Sequence, residues 1–207
     1  MTSAVPPSIA DAVGGPLGVA ESVLPTVAFV ATYTISGQDT EAALIAAVAL
    51  GVVFTVARVA RGKTVQFALA GLGGLALSAY VVSRTGNAED FFLPGLLANA
   101  AYASAYLISI LVRWPLLGII VATLQGKGME WRKDPDLVRR YSRASWIWVA
   151  LFSLRLAVQL PLYFADALTA LGVARIAMGL PLFAVGIWLS WLILRPREAP
   201  AEPGPPG

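Results

Sequence analysis

The sequence predicts an all-α polytopic membrane protein, a bundle of six transmembrane helices with both termini cytoplasmic. Three observations carry that expectation. Hydrophobic residues make up 57% of the 207 residues, and the mean hydropathy is +0.73. Charged residues are only 13%, against roughly 25% in a typical soluble domain. So few charges cannot cover a water-facing surface, but they suffice where lipid is the solvent of the outer face. The third observation is the placement of the basic residues, which alternates along the chain.

Met1–Gly15 carries Pro6, Pro7, Gly14 and Gly15 and no Lys or Arg. A secretory signal needs a basic start, so residues 1–15 read as a flexible tail. Residues 196–207, rich in Pro, Glu and Gly, read as a disordered tail. The intervening 16–195 forms the membrane domain. A bilayer core of about 30 Å needs about 20 residues at about 1.5 Å rise. Six stretches meet that length: Pro16–Ile35, Thr40–Ala60, Val65–Ser83, Phe92–Val112, Ser145–Ala165 and Leu171–Leu194.

With the N-terminus inside, the inner connections hold Arg58, Arg61, Lys63, Arg113, Lys127, Arg132, Lys133, Arg139, Arg140, Arg143, Arg195 and Arg197. The outer side holds only Arg84, together with Asp39, Glu41, Glu89, Asp90 and Asp166. That asymmetry fixes the orientation, and it accounts for the net charge of +3 without a nucleic-acid partner.

One segment does not fit six simple spans. After Arg113-Trp114-Pro115, apolar residues run on from Leu116 to Leu124. A straight helix from Gly95 to Leu124 would be about 45 Å long, too long for the hydrocarbon. Residues 116–124 are therefore an interfacial or re-entrant half-helix, or the end of a bent fourth helix. The basic inner loop 125–143 then closes with a helix start, Asp134 capping and Pro135 in the first position. Leu137, Val138, Tyr141 and Ala144 share one face there. Arg113, Arg139, Arg140 and Arg143 sit at lipid-headgroup level, as an interfacial collar or an ordinary positive-inside loop.

Small residues recur four apart, Ala43, Ala47 and Gly51 in the second span and Ala70, Gly74 and Ser78 in the third, which predicts close helix packing. Pro25, Pro94, Pro115, Pro161 and Pro181 are candidate helix breaks. Broken helices build sites in many transporters, and simple kinking is the competing explanation. Ionisable residues inside spans are costly, about 2.5–3.5 kcal/mol each at a helix centre. Glu21 and Arg155 are therefore the principal intramembrane candidates. They are expected to face one interior, with Arg113 a rival partner for Glu21. Arg155 alternatively caps carbonyls freed near Pro161. Arg175 is expected to snorkel toward Asp166, Glu89 or Asp90. Asn99, Gln159, Tyr102, Tyr106 and Tyr163 are candidates for hydrogen bonds across helices. Trp114, Trp131, Trp146 and Trp148 suit an aromatic belt.

The chain has no Cys and no His, which excludes disulfides, thiolate nucleophiles, Cys/His zinc sites and imidazole bases. No catalytic residue, metal site or cofactor is expected. Gly172-Val173-Ala174-Arg175 is similar to a fragment of the phosphatidyl-alcohol transferase motif, but the aspartates such metal chemistry needs do not follow. The expectation is that the protein is not an enzyme.

Several motifs together resemble an uncharacterised family of polytopic membrane proteins of high-GC Gram-positive bacteria, catalogued as a domain of unknown function. They are Glu21-Ser22-Val23-Leu24-Pro25, Asp90-Phe91-Phe92-Leu93-Pro94-Gly95, Arg113-Trp114-Pro115-Leu116, Arg155 with Gln159-Leu160-Pro161-Leu162-Tyr163, and Gly179-Leu180-Pro181-Leu182. The resemblance implies a multi-pass plasma-membrane protein and supplies no activity. Pro25, Phe29 and Arg113-Trp114-Pro115 give a looser similarity to the intracellular septation protein A family. Two functions follow as expectations. One is a small transporter or channel for an ion or small anionic solute. The other is a non-enzymatic membrane organiser or envelope- or septation-associated scaffold that binds anionic lipid, other membrane proteins or a second copy of itself.

Overall fold

The computed structural model describes residues 15–61, 65–126 and 128–195. Among these every regular element is helical. In chain order the α-helices are α1 (Gly15–Ile35), α2 (Thr40–Ala60), α3 (Val65–Thr85), α4 (Leu93–Leu111), α5 (Leu116–Leu124), α6 (Pro135–Phe164), α7 (Leu168–Ala177) and α8 (Leu180–Leu194). Short 3-10 turns at Ala88–Phe91 and Met129–Lys133 precede α4 and α6. The expected C-terminal tail, residues 1–14 of the N-terminal one and the basic residues Lys63, Lys127 and Arg197 lie outside the described residues, while Gly15 already belongs to α1.

Four stretches are long and apolar enough to cross a bilayer: Thr40–Ala60, Leu93–Leu111, Pro135–Phe164 and the α7–α8 stretch Leu168–Leu194. The chain therefore has the makings of a membrane-embedded protein.

The helix ends follow local chemistry. Gly37, at φ +73°, lets the Gln38 N–H donate back to the Tyr33 carbonyl at 2.9 Å. Asp39 then caps α2, its carboxylate accepting from the Ala42 N–H at 3.0 Å. Arg113 and Asp166 adopt the same left-handed geometry, at φ 57° and 51°. After α4, Trp114 N–H reaches the Ser109 carbonyl at 2.8 Å and Arg113 N–H the Ile110 carbonyl at 3.0 Å. This is a Schellman closure built without glycine. The Ser109 hydroxyl accepts from the Leu116 N–H at 3.1 Å, so α4 ends and α5 begins on one side chain. Residues 116–124 are thus a separate half-helix rather than the tail of a bent fourth one.

Two boundaries differ from expectation. The cap at Asp134 forms, its carboxylate accepting from Asp136 N–H at 2.8 Å and Leu137 N–H at 3.3 Å. The helix it starts does not stop before the fifth span, however. It runs unbroken for 30 residues to Phe164, because nothing between Pro135 and Pro161 opposes helix. Conversely, the last span is interrupted. Met178 N–H closes on Ala174 and Gly179 N–H on Ile176, ending α7, and α8 restarts at Leu180. Of the five prolines, Pro115 and Pro181 stand at real breaks, and Pro94 lies in the first turn of α4. Pro25 and Pro161 are absorbed inside α1 and α6, so they are not breaks.

The chain divides into two compact units, Met1–Ala100 with Ser153–Pro181 and Ala101–Phe152 with Leu182–Gly207. In the first, Phe29 stacks on Phe91 with ring centroids 4.0 Å apart, and Phe92 meets both edge-on. Leu168, Leu171 and the fully buried Ala43 and Ala47 complete this core. The small face of the second span therefore packs as expected. That of the third packs only in part. Ser78 is buried, but Gly71, Gly73 and Gly74 have no neighbour where a Cβ would stand, and the Ala70 side chain lies outside the described residues. In the second unit Tyr106, Trp148 and Phe152 form an aromatic cluster. Trp148 Nε1 donates to the Ser190 hydroxyl at 3.1 Å, which donates to the Gly186 carbonyl at 2.7 Å.

The two kinds of glycine environment separate experimentally. A Cβ at Gly172 would stand 2.5 Å from Val30 Cγ2, whereas one at Gly74 would meet nothing. Gly172→Ala is expected to lower stability by about 1–3 kcal/mol through overpacking. Gly74→Ala is expected to leave stability unchanged or raise it by up to ~1 kcal/mol through helix propensity. Thermal unfolding of the detergent-solubilised chain measures both.

Candidate intramembrane site

The first unit gathers the costly polar groups. Arg155 lies nine residues before the end of α6, about 14 Å along the axis. Met178 lies ten residues beyond the start of α7, about 15 Å by the same rise. The matching depths bring a guanidinium to the interruption. Arg155 Nη2 donates to the Gly179 carbonyl at 2.8 Å and also to the Met178 carbonyl. These carbonyls sit where the helical ladder is interrupted, and in lipid such groups must find a partner inside the protein. A cation is also the favoured charge at the C-terminal end of a helix such as α7.

Arg155 therefore does cap carbonyls, but those of the Met178–Gly179 break rather than any near Pro161. Its Nη2 is spent on the backbone, while its buried Nε–H has no acceptor among the described residues. The expected partner, the Glu21 side chain, lies outside the described residues.

Arg175 departs from the sequence expectation. Its guanidinium carbon lies 5.5 Å from the centroid of the Phe92 ring. Its nitrogens press on Gly95, where a Cβ would stand 2.8 Å from Nη1. No carboxylate among the described residues pairs with it. Asp90, one of the partners expected for it, is buried and instead accepts a hydrogen bond from the Tyr163 hydroxyl. The Ala88–Phe91 turn aims Asp90 inward, toward the end of α6, and Gly95 gives α4 the bare surface that Arg175 occupies. Arg155 and Arg175 belong to the same compact unit.

Asn99 and Gln159 are buried, at 9% and 4% exposure, and neither makes a hydrogen bond to a described residue. Tyr163 is the one of the expected interhelical donors that finds a side-chain partner. The collar arginines separate. Arg140 Nη2 donates to the carbonyls of Ile193, Leu194 and Arg195 at 3.1, 3.1 and 2.6 Å, which makes it a C-cap for α8. Arg139 pairs with Asp136 at 2.5 Å. Arg113 and Arg143 are exposed.

No group of three or more carboxylates that could hold a metal occurs among the described residues. Sequence reasoning missed the Asp90–Tyr163 bond and the Gly95–Arg175 contact. The signal for the second was present: a glycine just past a proline, opposite an arginine that has no acidic neighbour in its own helix.

A family model matches residues 13–201 under the description "Protein of unknown function (DUF3159)". The chain belongs to that family. No curated protein and no solved structure matches it. Family membership agrees with the motif resemblance on the point both address, since the matched segment includes every motif from Glu21 to Leu182.

The Asp90–Tyr163 bond is open to a double-mutant cycle. Tyr163→Phe removes the donor and leaves a buried carboxylate short of a partner, at an expected cost of about 1–3 kcal/mol. Asp90→Asn is expected to cost less when Tyr163 is already Phe. A coupling energy near zero in thermal or denaturant unfolding would show that the bond contributes nothing.

Proposed function

We propose that this DUF3159 protein is a small, non-enzymatic membrane transporter or channel whose first unit offers an intramembrane site to a small anionic solute. The single observation that carries this reading is unmet donor capacity at membrane depth. Among the described residues Arg155 Nε–H is buried without an acceptor and Arg175 has no carboxylate partner. Buried donors are ordinarily paired, and an uncompensated charge in a low-dielectric interior is expensive. An anion with several oxygens would bring acceptors to these guanidinium groups. The interruption at Met178–Gly179 supports the reading too, since discontinuous helices are a recurrent device of transporter sites.

In this reading the chain crosses the plasma membrane of a high-GC Gram-positive bacterium six times, with both termini inside. Glu21 acts as the carboxylate that exchanges with the solute at Arg155, and nucleic acid is no partner. The positive-inside distribution of Lys and Arg supports the orientation. A second reading, a membrane organiser, is favoured by one observation: the open glycine face of α3 at Gly71, Gly73 and Gly74, beside exposed Leu69 and Leu77.

Proteoliposome flux decides between them. Purified chain is expected to carry small anions, tested as chloride, acetate and phosphate. Arg175→Gln and Arg155→Ala should each slow that flux by about tenfold or more, the equivalent of one charged hydrogen bond. Gly95→Ala, which displaces the Arg175 guanidinium while keeping its charge, should slow it too. An absence of flux in wild type, or equal flux in all four proteins, overturns the transport reading.

A further inference from the structure

The second unit holds a cavity of about 610 Å³ where the end of α5, the Met129–Lys133 turn and the first turns of α6 meet. Its wall combines two carboxylates, Glu130 and Asp134, two aromatic rings, Trp131 and Tyr141, and the apolar Ala122 and Leu137. The rings meet edge to face with centroids 5.1 Å apart. Trp131 is only 7% exposed. Its benzo edge is wedged on Gly118, where a Cβ would stand 2.7 Å from Cη2, and its buried indole N–H has no acceptor among the described residues. Asp134 spends one oxygen capping α6. Neither it nor Glu130 is paired with a cation among the described residues.

Position narrows the ligand. Helix α6 has 30 residues, about 45 Å, against a hydrocarbon core of about 30 Å. About ten residues must therefore lie beyond the core. Its last turns, Leu160–Phe164, are uncharged, and its first turns hold Asp136, Arg139, Arg140 and Arg143, so the protruding end is the first. The cavity therefore stands at headgroup level. The neighbouring half-helix α5 carries Leu124 at 82% exposure, and Arg132 stacks on Trp114 at 3.8 Å, both suited to an interface.

We propose that this cavity binds the head of an ethanolamine phospholipid. The ammonium lies against Glu130 and Asp134 and beside the Tyr141 ring, where carboxylates and a ring quadrupole both favour a cation. A phosphodiester oxygen accepts from the Trp131 indole N–H, and the glycerol end of the lipid runs along Ala122 and Leu137. A purely anionic lipid would meet two carboxylates and be disfavoured.

The test is direct binding to the full chain in detergent, by calorimetry, of three probes: short-chain phosphatidylethanolamine, short-chain phosphatidylglycerol and free phosphoethanolamine. Phosphatidylethanolamine is expected to bind at least about tenfold more tightly than phosphatidylglycerol. Glu130→Gln and Trp131→Phe should each weaken it by about tenfold, the loss of one charge-assisted or buried hydrogen bond. Glu130 is exposed, so Glu130→Gln should fold; Trp131→Phe withdraws the benzo edge from Gly118, and circular dichroism melting checks that it too stays folded. Free phosphoethanolamine binding more weakly than the lipid assigns the site to membrane lipid. Binding as tight as the lipid's moves it to the soluble head group and overturns the lipid assignment. Equal affinity for the two lipids, or affinity unmoved by both variants, overturns the site altogether.

Discussion

Backbone carbonyls at membrane depth must be satisfied from within the protein, and that constraint organises the first unit. The last apolar stretch does not continue as one helix through Met178–Gly179, and carbonyls at that interruption fall outside a continuous helical ladder. Lipid offers no water to take up the difference. The chain meets the demand with a guanidinium, planar and multiply donating, which can serve two carbonyls from one nitrogen. A lysine ammonium is more strongly hydrated and costlier to strip of water. Arg155 thus has a structural reason to sit deep in an apolar helix, and the charge it brings there becomes available for other uses.

The same device recurs in the second unit, where Arg140 gathers the terminal carbonyls of α8. Other helix ends are closed by local backbone geometry instead. Arg113 and Asp166 take up left-handed conformations that a glycine would accept with less strain. At Arg113 the closure matters because α5 begins at once, with the Ser109 hydroxyl accepting its first N–H. A hydrophobic pattern that looked too long for one span is resolved by one hydroxyl and one strained residue. Length alone could not distinguish that from a bent helix.

The elements most legible in the sequence were those fixed by hydropathy. The observed limits of α1, α2 and α4 fall within a residue of the expected ones, because an apolar run of bilayer length leaves little choice. The Asp134–Pro135 start was legible for a local reason, a capping side chain beside a proline suited to the first turn. Proline was a poor guide to breaks. Pro161 and Pro181 both follow leucine in apolar surroundings, yet only Pro181 has a glycine two residues earlier, and there the helix stops. The site was half legible. The cost of burying Arg155 marked it, but its partners come from a segment 23 residues away in sequence. Arg175 was misjudged because a short distance to the outer boundary suggested an escape to the carboxylates there. The bare surface of Gly95 and the face of Phe92 offered a nearer resting place.

That resting place has a consequence for how the first unit can work. A cation held by a ring face and a glycine is held weakly in direction, since neither supplies a hydrogen-bond acceptor and cation–π attraction is tolerant of small displacement. Arg155, by contrast, is tied to two carbonyls. One guanidinium is therefore anchored by hydrogen bonds and the other rests on a ring face and a glycine surface alone. In the transport reading proposed above, such asymmetry would suit a solute that must be drawn in and yet leave again. An arrangement built only for packing would have been expected to pair Arg175 with Asp90, in the same unit and already buried. The chain instead commits Asp90 to Tyr163, which leaves the second positive charge unneutralised by any described carboxylate.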